Sequence, residues 1–393
     1  MLIKKMEVIM KKSIYCLLQK NNTGKALTLA LSVFVFLFSA CNKDLPSELY
    51  SNLIKKGKSP DTPDIIVNAG SSIQAAINQA SAGSVILIKP GIYKEAIRIS
   101  KSNITLIGAD EAAGVILENP GEEDNGIFVD NNGDGFQLYH ITVKNFEENG
   151  VLMIRADNFI LKHVTAINCG EYGLFPIHCK GGLIEHCSAT GHTDTGVYIG
   201  QSEDIEMKFN EAFANVNGFE IENCSGVIAS NNQSYNNTAG FLVVLLPNLQ
   251  VTTSSDIQLI QNHVYGNNHE NFSEPGGGFE NLVPVGSGIL IVGTDNTLVI
   301  KNNVHDNNFT GIAVVSTTIL GAIGGIPPEA FATIEPNPDN VKVKDNIIKH
   351  NGTNPPPLPL PGVDLLWDGS GTGNCWSSNN YTTSYPLQLP SCP

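Results

Sequence analysis

The feature that most constrains the fold of this chain is a repeat of about 23 residues. A glycine followed by a short apolar segment recurs along the middle of the sequence, as in "GVLMI" and "GVYIG". The glycines are Gly126, Gly150, Gly173, Gly196, Gly218, Gly240, Gly288 and Gly311, at spacings of 24, 23, 23, 22, 22, 48 and 23. A fixed period indicates stacked copies of one unit, and the 48-residue interval indicates one unit with an insertion after Asn268.

A second strand-like segment lies inside each repeat and ends at a polar residue. These residues are His140, His163, His186, Asn210, Asn232, Asn262, Asn302 and Asn346. A further column follows at Asn145, Asn168, Asn215, Asn237, Asn267, Asn307 and Asn351, interrupted by Gly191. Asn tolerates the left-handed backbone of tight turns, and its amide bonds to copies of itself on adjacent units. We interpret both columns as corner ladders and the three histidines as structural positions, not metal ligands.

Short strands with frequent turns, without heptads or long amphipathic helices, predict an all-β solenoid. Coils of about 23 residues are typical of a parallel β-helix, in which each coil contacts only its neighbours. Such a solenoid needs capped ends. The segment "SSIQAAINQA", residues 71–80, has apolar residues at helical spacing behind a serine, which predicts a short N-terminal capping helix.

The segment "SIQAAINQASAGSVILIKPGIYKEAIRISKSNITLIG" closely resembles the opening of pectin-lyase-like right-handed parallel β-helix proteins. The coils that follow resemble the repeats of that superfamily over residues 64–353. More narrowly, "DTGVYIGQS", "GFEIEN", "LPNLQV" and "GNCWSSN" look like a group of bacterial parallel β-helix lipoproteins without an established activity. The resemblance implies a right-handed, single-stranded β-helix. The superfamily includes pectate lyases, alginate epimerases and lyases, polygalacturonases and structural members, so fold alone does not select an activity.

The N-terminus has the pattern of an export signal. Several lysines precede the apolar run "ALTLALSVFVFLFSA", residues 26–40, and Cys41 follows it. The run is shorter than the ~20 residues of a membrane span, which disfavours a transmembrane anchor. "FSAC" resembles a bacterial lipobox. We therefore predict a lipoprotein signal peptide at 1–40, lipidation of Cys41, a polar tether at 41–63 and a periplasmic or cell-surface location, with membrane contact only through the lipid.

The charge balance restricts the partners. Residues 1–40 carry six of the 23 basic residues and one of the 38 acidic ones, so the exported chain has 17 basic and 37 acidic residues, a net charge of −20. This field repels nucleic acid and anionic lipid. It also disfavours polyanionic substrates unless a local basic pocket or Ca²⁺ neutralises them.

The cysteines divide into two groups. Cys375 and Cys392 bracket the C-terminal segment, and export permits a disulfide between them. The four central cysteines, Cys169, Cys179, Cys187 and Cys224, lack C-x-x-C spacing and are interpreted as buried free thiols, so no metal site is predicted. Residues 354–393 are interpreted as a Pro-rich connector and a C-terminal segment outside the solenoid.

Strand alternation predicts which side chains leave the core. In "GVYIGQ", Val197 and Ile199 point inward and Tyr198 points outward, and the same parity projects Glu220 and Glu222. Titratable residues concentrate on the coils from Gly150 to Asn223. The predicted catalytic set is Asp194, Tyr198, His178 and Arg155, and the predicted binding residues are Gln201, Glu220, Glu222 and His192.

The candidate residues permit three kinds of chemistry. Asp194 or His178 as base, Tyr198 as acid and Arg155 as neutralising cation suit a uronate lyase or C5-epimerase. Paired carboxylates suit a glycoside hydrolase or bind Ca²⁺.

The leading functional prediction is a monomeric envelope protein that binds polysaccharide or a partner protein along its coil face. The alternative prediction is a polysaccharide lyase or epimerase, with hydrolysis ranked lower.

Overall fold

The computed structural model describes residues 63–109, 114–276 and 278–393. The predicted signal peptide, the lipidation of Cys41 and nearly all of the tether lie outside these residues. Within the described ranges, no helix is long and apolar enough to cross a membrane.

Three parallel sheets form the faces of the solenoid, with 12, 10 and 11 strands in the described part of the chain. Sheet 1 contains β1 (Ile65–Val67), β2 (Val85–Ile88), β5 (Thr105–Gly108), β8 (Gln137–Tyr139), β11 (Phe159–Lys162), β14 (Lys180–Glu185), β17 (Glu203–Lys208), β20 (Ile228–Ser230), β23 (Gln258–Ile260), β26 (Leu298–Ile300), β29 (Lys342–Lys344) and β32 (Cys375–Ser377). Sheet 2 contains β3 (Gly91–Lys94), β6 (Val115–Glu118), β9 (Ile141–Lys144), β12 (Thr165–Ile167), β15 (Ser188–Thr190), β18 (Glu211–Phe213), β21 (Gln233–Tyr235), β24 (His263–Tyr265), β27 (Asn303–His305) and β30 (Ile347–Lys349). Sheet 3 contains β4 (Ile97–Ile99), β7 (Asn125–Val129), β10 (Asn149–Ile154), β13 (Tyr172–Ile177), β16 (Thr195–Gly200), β19 (Asn217–Glu222), β22 (Ala239–Val244), β25 (Ser287–Val292), β28 (Thr310–Val315), β31 (Val363–Trp367) and β33 (Ser384–Tyr385).

Each coil contributes one strand to each sheet, and equivalent residues stack in register. On sheet 3, Leu174 pairs with Val197, Val197 with Phe219, and Phe219 with Phe241. All four side chains are fully buried. Burial of a side chain of this size contributes ~1.5–3 kcal/mol, which explains why the apolar residue after each glycine points inward. The prediction of a right-handed parallel β-helix is confirmed.

The N-terminal capping helix is also confirmed. Helix α1 spans Ile73–Gln79, and the Ser72 hydroxyl accepts a hydrogen bond from the Ala75 amide at 3.0 Å. The Glu95 carboxylate accepts from the amides of Ile73 and Gln74 at 2.6 and 3.2 Å. These bonds satisfy N–H groups that the first helical turn leaves without a partner.

The predicted ladders exist, but their register differs by one residue in the earlier coils. Asn210 pairs through its side-chain oxygen with the Cys187 amide, not with His186, whose ring stacks on Phe209. Likewise, the Asn215 side chain accepts from the His192 amide at 3.1 Å. Each corner has two neighbouring polar positions, one that points inward and one that points outward with a positive φ. The predicted columns joined inward-facing Asn residues of the later coils to outward residues of the earlier coils, such as His163 and Asn168.

The solenoid extends beyond the predicted end at residue 353. Strand β31 pairs with β28, β32 with β29, and β33 with β31, so the C-terminal segment forms the last coil. The predicted disulfide between Cys375 and Cys392 is present within it. The four central cysteines are free and buried, as predicted.

Three loops enlarge the C-terminal coils on the side of sheet 3. The first is the insertion after Asn268, which includes a 3₁₀ helix at Phe279–Leu282. The second follows β28 and carries helix α2, Ile319–Gly324, and a 3₁₀ helix at Pro328–Phe331. The third is the proline-rich segment before β31, whose Leu358 and Leu360 pack against the apolar outer face of sheet 3.

Candidate functional site

The outward face of sheet 3 is covered where the sequence concentrates its acids. The parity predicted for Val197, Ile199 and Tyr198 is correct, since Tyr198 points away from the two core residues. However, all six residues of β16 and all six of β19 are buried. Tyr198 is 5% exposed and Glu220 is 6% exposed. These side chains are therefore covered by other parts of the chain and do not form an open surface.

Two carboxylates on neighbouring coils share one hydroxyl group. The Thr195 hydroxyl lies 2.9 Å from Asp194 Oδ1 and 2.7 Å from Glu220 Oε2. Asn217 donates to the same Glu220 oxygen at 3.1 Å. The two carboxylate oxygens are thus no more than about 6 Å apart, which is near the ~5–5.5 Å of paired carboxylates in retaining glycosidases.

Burial changes the protonation of this pair. Desolvation raises the pKa of Asp194 to about 7. Desolvation, followed by the charges of Asp194 and Glu222, raises the pKa of Glu220 well above its ordinary value. Two close carboxylates in a dry site cannot both ionise at low cost, so one holds a proton while its neighbour is ionised.

A third acid is paired with a tyrosine. Tyr198 donates its hydroxyl hydrogen to Glu222 Oε1 at 2.7 Å. Burial raises the pKa of Glu222 to about 6, although the bond from Tyr198 opposes this shift. Tyr172 packs its ring on Tyr198 with the centroids 5.0 Å apart and hydrogen-bonds to Asp194. Glu222 and Asp194 are thus each paired with a tyrosine, whereas Glu220 is bonded to Thr195 and Asn217.

One polar atom in this cluster is unsatisfied. Asn217 is fully buried, and its side-chain oxygen has no hydrogen-bond partner among the described residues. Such an orphan acceptor is uncommon in a folded protein. A donor from a ligand would satisfy it.

The insertion after Asn268 covers the cluster. Val283 and Phe272 pack against Val216, which precedes β19, and against Ala239 at the start of β22. The carboxylate of Glu280 lies close enough to Asp194 to contribute to its raised pKa. The sequence could not place this insertion, and the structure assigns it as the cover of the acidic cluster.

The other predicted catalytic residues occupy a different pocket. Arg155, His178 and Gln201 lie at the corner between sheets 3 and 1, where each has a positive φ. They line a polar pocket together with Asp157, Cys179, Lys180, Glu203 and Gln250. None of these eight residues lines the pocket that contains Glu220. The predicted four-residue catalytic arrangement is therefore divided between two places.

Residues of the corner pocket also hold a neighbouring loop in place. Arg155 donates to Gln250 Oε1 at 3.2 Å, and Gln201 Oε1 accepts from the Val251 amide at 3.1 Å. These bonds fix the loop that follows β22. Burial, followed by the charge of Arg155, lowers the pKa of His178, which favours a neutral imidazole.

His192, predicted as a binding residue, lies inside the solenoid. It is fully buried at the start of an Asn column, and its Nδ1 lies 2.6 Å from the Cys169 carbonyl oxygen. Burial lowers its pKa to about 4. Its position indicates a structural role, because the interior of the coil has no access to ligand.

One acidic group fits a divalent cation by geometry. Asp295, Glu335 and Asp339 place carboxylate oxygens within 4.8 Å of one another, the one such group in the described part of the chain. Oxygen ligands of this kind suit Ca²⁺. The acids that the sequence suggested, Asp194, Glu220 and Glu222, are not members of this group.

Sequence reasoning missed Tyr172, Thr195, Asn217 and Glu280. The first three share one outward column, immediately before each repeat glycine, where Tyr172, Thr195 and Asn217 follow Asn149. That polar column was a usable signal. Glu280 comes from an insertion whose course no repeat pattern specifies.

Comparison with known proteins gives the fold class. Residues 125–252 match a family model described as a right handed beta helix region. The structure is similar to the A-module of the mannuronan C-5 epimerase AlgE4 from Azotobacter vinelandii, with a TM-score of 0.61, 17% identity and coverage of 84% of this chain and 98% of that one. An alginate lyase from Paenibacillus sp. gives a TM-score of 0.53 at 13% identity, covering 78% and 99%. DFA-IIIase from Arthrobacter chlorophenolicus gives 0.54 at 12%, covering 84% and 86%.

This chain therefore has the fold of a right-handed parallel β-helix. A comparison with curated protein sequences finds no match. At these identities the structural likeness concerns the fold, and the chemistry has to come from the residues of this chain.

Proposed function

We propose that the protein binds a neutral glycan on the outward face of sheet 3 and cleaves it by acid–base catalysis at Asp194 and Glu220. The observation that carries this proposal is the pair of buried carboxylates sharing the Thr195 hydroxyl. Two titratable groups whose environment separates their protonation states are the usual form of an acid–base pair. The similar folds include proteins named as an alginate lyase and a mannuronan epimerase, so this architecture accommodates glycan chemistry.

The charges favour a neutral substrate over a uronate. Asp194, Glu220 and Glu222 are joined by Glu280, and no lysine or arginine of the described chain lines the pocket that contains Glu220. A uronate carboxylate placed there would face like charges without a neutralising cation. A neutral sugar offers hydroxyl groups, which donate to carboxylates and to the orphan oxygen of Asn217.

The proton balance assigns roles. Glu220, the acid with the strongest hold on its proton, donates that proton to the glycosidic oxygen as the bond to the anomeric carbon breaks. The ionised Asp194 either attacks the anomeric carbon or takes a proton from the attacking water, and water completes the hydrolysis. Glu222, held by Tyr198, maintains the negative field that favours positive charge on the sugar ring in the transition state.

The same face offers a track for the rest of the glycan. Phe128, Leu152 and Phe175 stack on successive coils as the half-buried outward column that leads to Tyr198. The Arg98 guanidinium lies over the Phe128 ring at 4.7 Å, so a sugar on this column would contact that guanidinium together with Leu152 and Phe175. Binding along the coils and reaction at the cluster are thus parts of one proposal.

The decisive experiment compares the purified exported chain with Glu220→Gln and Asp194→Asn on neutral glycans and on alginate. We expect reducing ends from a neutral glycan and a loss of at least ~10²-fold in rate for either variant. The matched control is Glu203→Gln, an exposed carboxylate in the corner pocket, which should keep full activity. Full activity of Glu220→Gln, or absence of any turnover by the wild type across the panel, would overturn the catalytic proposal.

A second candidate is uronate chemistry in the corner pocket. Its support is that the cations Arg155 and Lys180 line one cavity with the neutral imidazole of His178, so an anionic sugar finds both neutralising charge and a base there. Unsaturated product from alginate that disappears in Arg155→Gln but persists in Glu220→Gln would establish this candidate and exclude the first.

We further propose that the protein acts at the cell envelope, exported and anchored through a lipid on Cys41. The support is the sequence pattern around residues 26–41. Palmitate labelling of the full chain in cells should be lost in Cys41→Ser, and labelling that persists would overturn the anchor.

A further inference from the structure

Beyond the acidic cluster, the outward face of sheet 3 is almost wholly apolar. The column that contains Tyr198 and Glu220 continues through Leu242, Leu290, Ala313 and Leu366. The adjacent column that contains Glu222 continues through Val244, Val292 and Val315. A strand face that is exposed to water would ordinarily be polar. Its composition here requires something apolar to lie on it.

Three loops supply walls and a partial roof. Phe279 and Leu282 come from the insertion after Asn268, Ile319, Leu320 and Ile323 come from α2, and Leu358 and Leu360 come from the proline-rich segment. Leu282 lies close to Gly324, so the first two walls meet. The result is a pocket between the sheet and the loops.

The loops do not fill the pocket. No residue of α2 is buried, and Ile319, Leu320 and Ile323 remain half-exposed although they face the cavity. Leu242, Phe279 and Leu358 are likewise only partly buried. A satellite core whose purpose was stability would bury these side chains against each other.

The pocket is polar at one end only. Of its 20 lining residues, 18 are apolar, and the two others are Glu220 and Glu280. No lysine, arginine or histidine lines it in the described chain. An anionic head group would meet only acids, whereas a hydroxyl or an amine would find hydrogen-bond acceptors.

We propose that this pocket binds the hydrocarbon chain of an amphiphile, with an uncharged or cationic head group between Glu220 and Glu280. The apolar lining suits an alkyl chain, and the two acids at its polar end select the head group. The proposal goes beyond the glycan reaction, because binding of the chain requires no turnover. It stands or fails independently of Asp194.

The test uses the fluorescent apolar probe N-phenyl-1-naphthylamine and its displacement by dodecanol, dodecylamine and dodecanoate, each kept below its solubility limit or micellar concentration. We expect wild-type protein to bind the probe and to release it to dodecanol and dodecylamine at about tenfold lower concentrations than to dodecanoate. Equal displacement by dodecanoate would overturn the head-group assignment.

Two variants locate the site. Ala313→Trp fills the pocket from the sheet and should weaken probe binding by about tenfold or more. Its matched control, Ser188→Trp, adds the same ring at an outward position of sheet 2 and should bind as wild type does. If Ala313→Trp fails to fold, Ile323→Asp on the half-exposed helix replaces it. Unchanged probe binding in a folded pocket variant would overturn the proposal, whatever the result with glycans.

Discussion

The interior Asn ladders and the outer acidic cluster bury polar groups in opposite ways. In the interior, each amide both donates and accepts. Asn262, for example, accepts from the backbone and side-chain nitrogens of Asn232 and donates to Ala229 and Asn302. In the cluster, three acids crowd around few donors, and Asn217 keeps an unpaired oxygen. Fully paired networks stabilise a fold, whereas a cluster with raised pKa values and an orphan acceptor reduces stability. This difference in hydrogen-bond pairing distinguishes the Asn ladders, which are structural, from the acidic cluster, which is the candidate site.

The largest expected change in stability comes from a substitution that interrupts an Asn ladder. Asn262→Ala removes four hydrogen bonds at 2.9–3.0 Å and leaves buried partners unsatisfied. We expect a loss of about 3–5 kcal/mol in the free energy of unfolding, measured by urea denaturation. The control Asn354→Ala, at an exposed position, should change stability by less than about 0.5 kcal/mol. A loss under about 1 kcal/mol for Asn262→Ala would show that the ladder is incidental.

Substitution of a buried acid in the acidic cluster should stabilise the protein at high pH, whereas a substitution in a ladder destabilises it. In the native state Glu220 and Asp194 bind protons more tightly than in the unfolded chain, because burial raises both pKa values. Their contribution to stability is therefore highest below about pH 4 and falls as pH rises towards 7, where Asp194 titrates.

Neutral replacement removes this cost. We expect Glu220→Gln to be more stable than wild type at pH 8 by about 1–3 kcal/mol and to lose the advantage near pH 4. The measurement is the difference between the two pH–stability curves, since buried histidines such as His192 contribute with the opposite slope in the same range. A variant less stable than wild type at pH 8 would mean that the cluster is structural.

This contrast also explains what the sequence could predict. Glycine spacing and alternation define coil length, strand parity and the inward direction of Val197, because period and core packing are local properties. The cover over Tyr198 depends on where an insertion folds back, which no repeat specifies. Arg155 and Tyr198 are three positions apart on the coil pattern, yet the turn after the strand directs Arg155 into the corner pocket. Spacing along the chain correctly predicted that the acids lie on the outward face of sheet 3. It did not predict that the candidate residues divide between two pockets.

A smaller effect is expected at the third acid. Tyr198→Phe removes the hydrogen bond that opposes the rise in the pKa of Glu222, so that pKa should rise above about 6. We expect a cost of about 1 kcal/mol at pH 8 and a shift of the acidic limb of the pH–rate profile to higher pH. The matched control is Tyr139→Phe, whose hydroxyl donates to the neutral Gln137 at 2.8 Å. It should lose similar stability without a change in the profile, and identical profiles for both variants would exclude a catalytic contribution from Glu222.

The smallest effect is expected at the outer histidine column. This column is part of the structural repeat, as the Asn ladders are, but burial shifts the pKa of His163, as it shifts the pKa values of the acidic cluster. His163 stacks between His140 and His186 with ring centroids 4.7 and 5.1 Å apart, at a positive φ of 54°. Because Asn adopts this backbone readily, His163→Asn should change stability at pH 8 by less than about 0.5 kcal/mol. Burial, followed by the neighbouring histidines, lowers the pKa of His163 to about 4. The unfolded chain therefore binds the proton first as pH falls below about 6.5, and the variant should gain relative stability near pH 5.

If Zn²⁺ raised the melting temperature of wild type but not of His163→Asn, the column would be a metal site and the ladder interpretation of its histidines would be wrong.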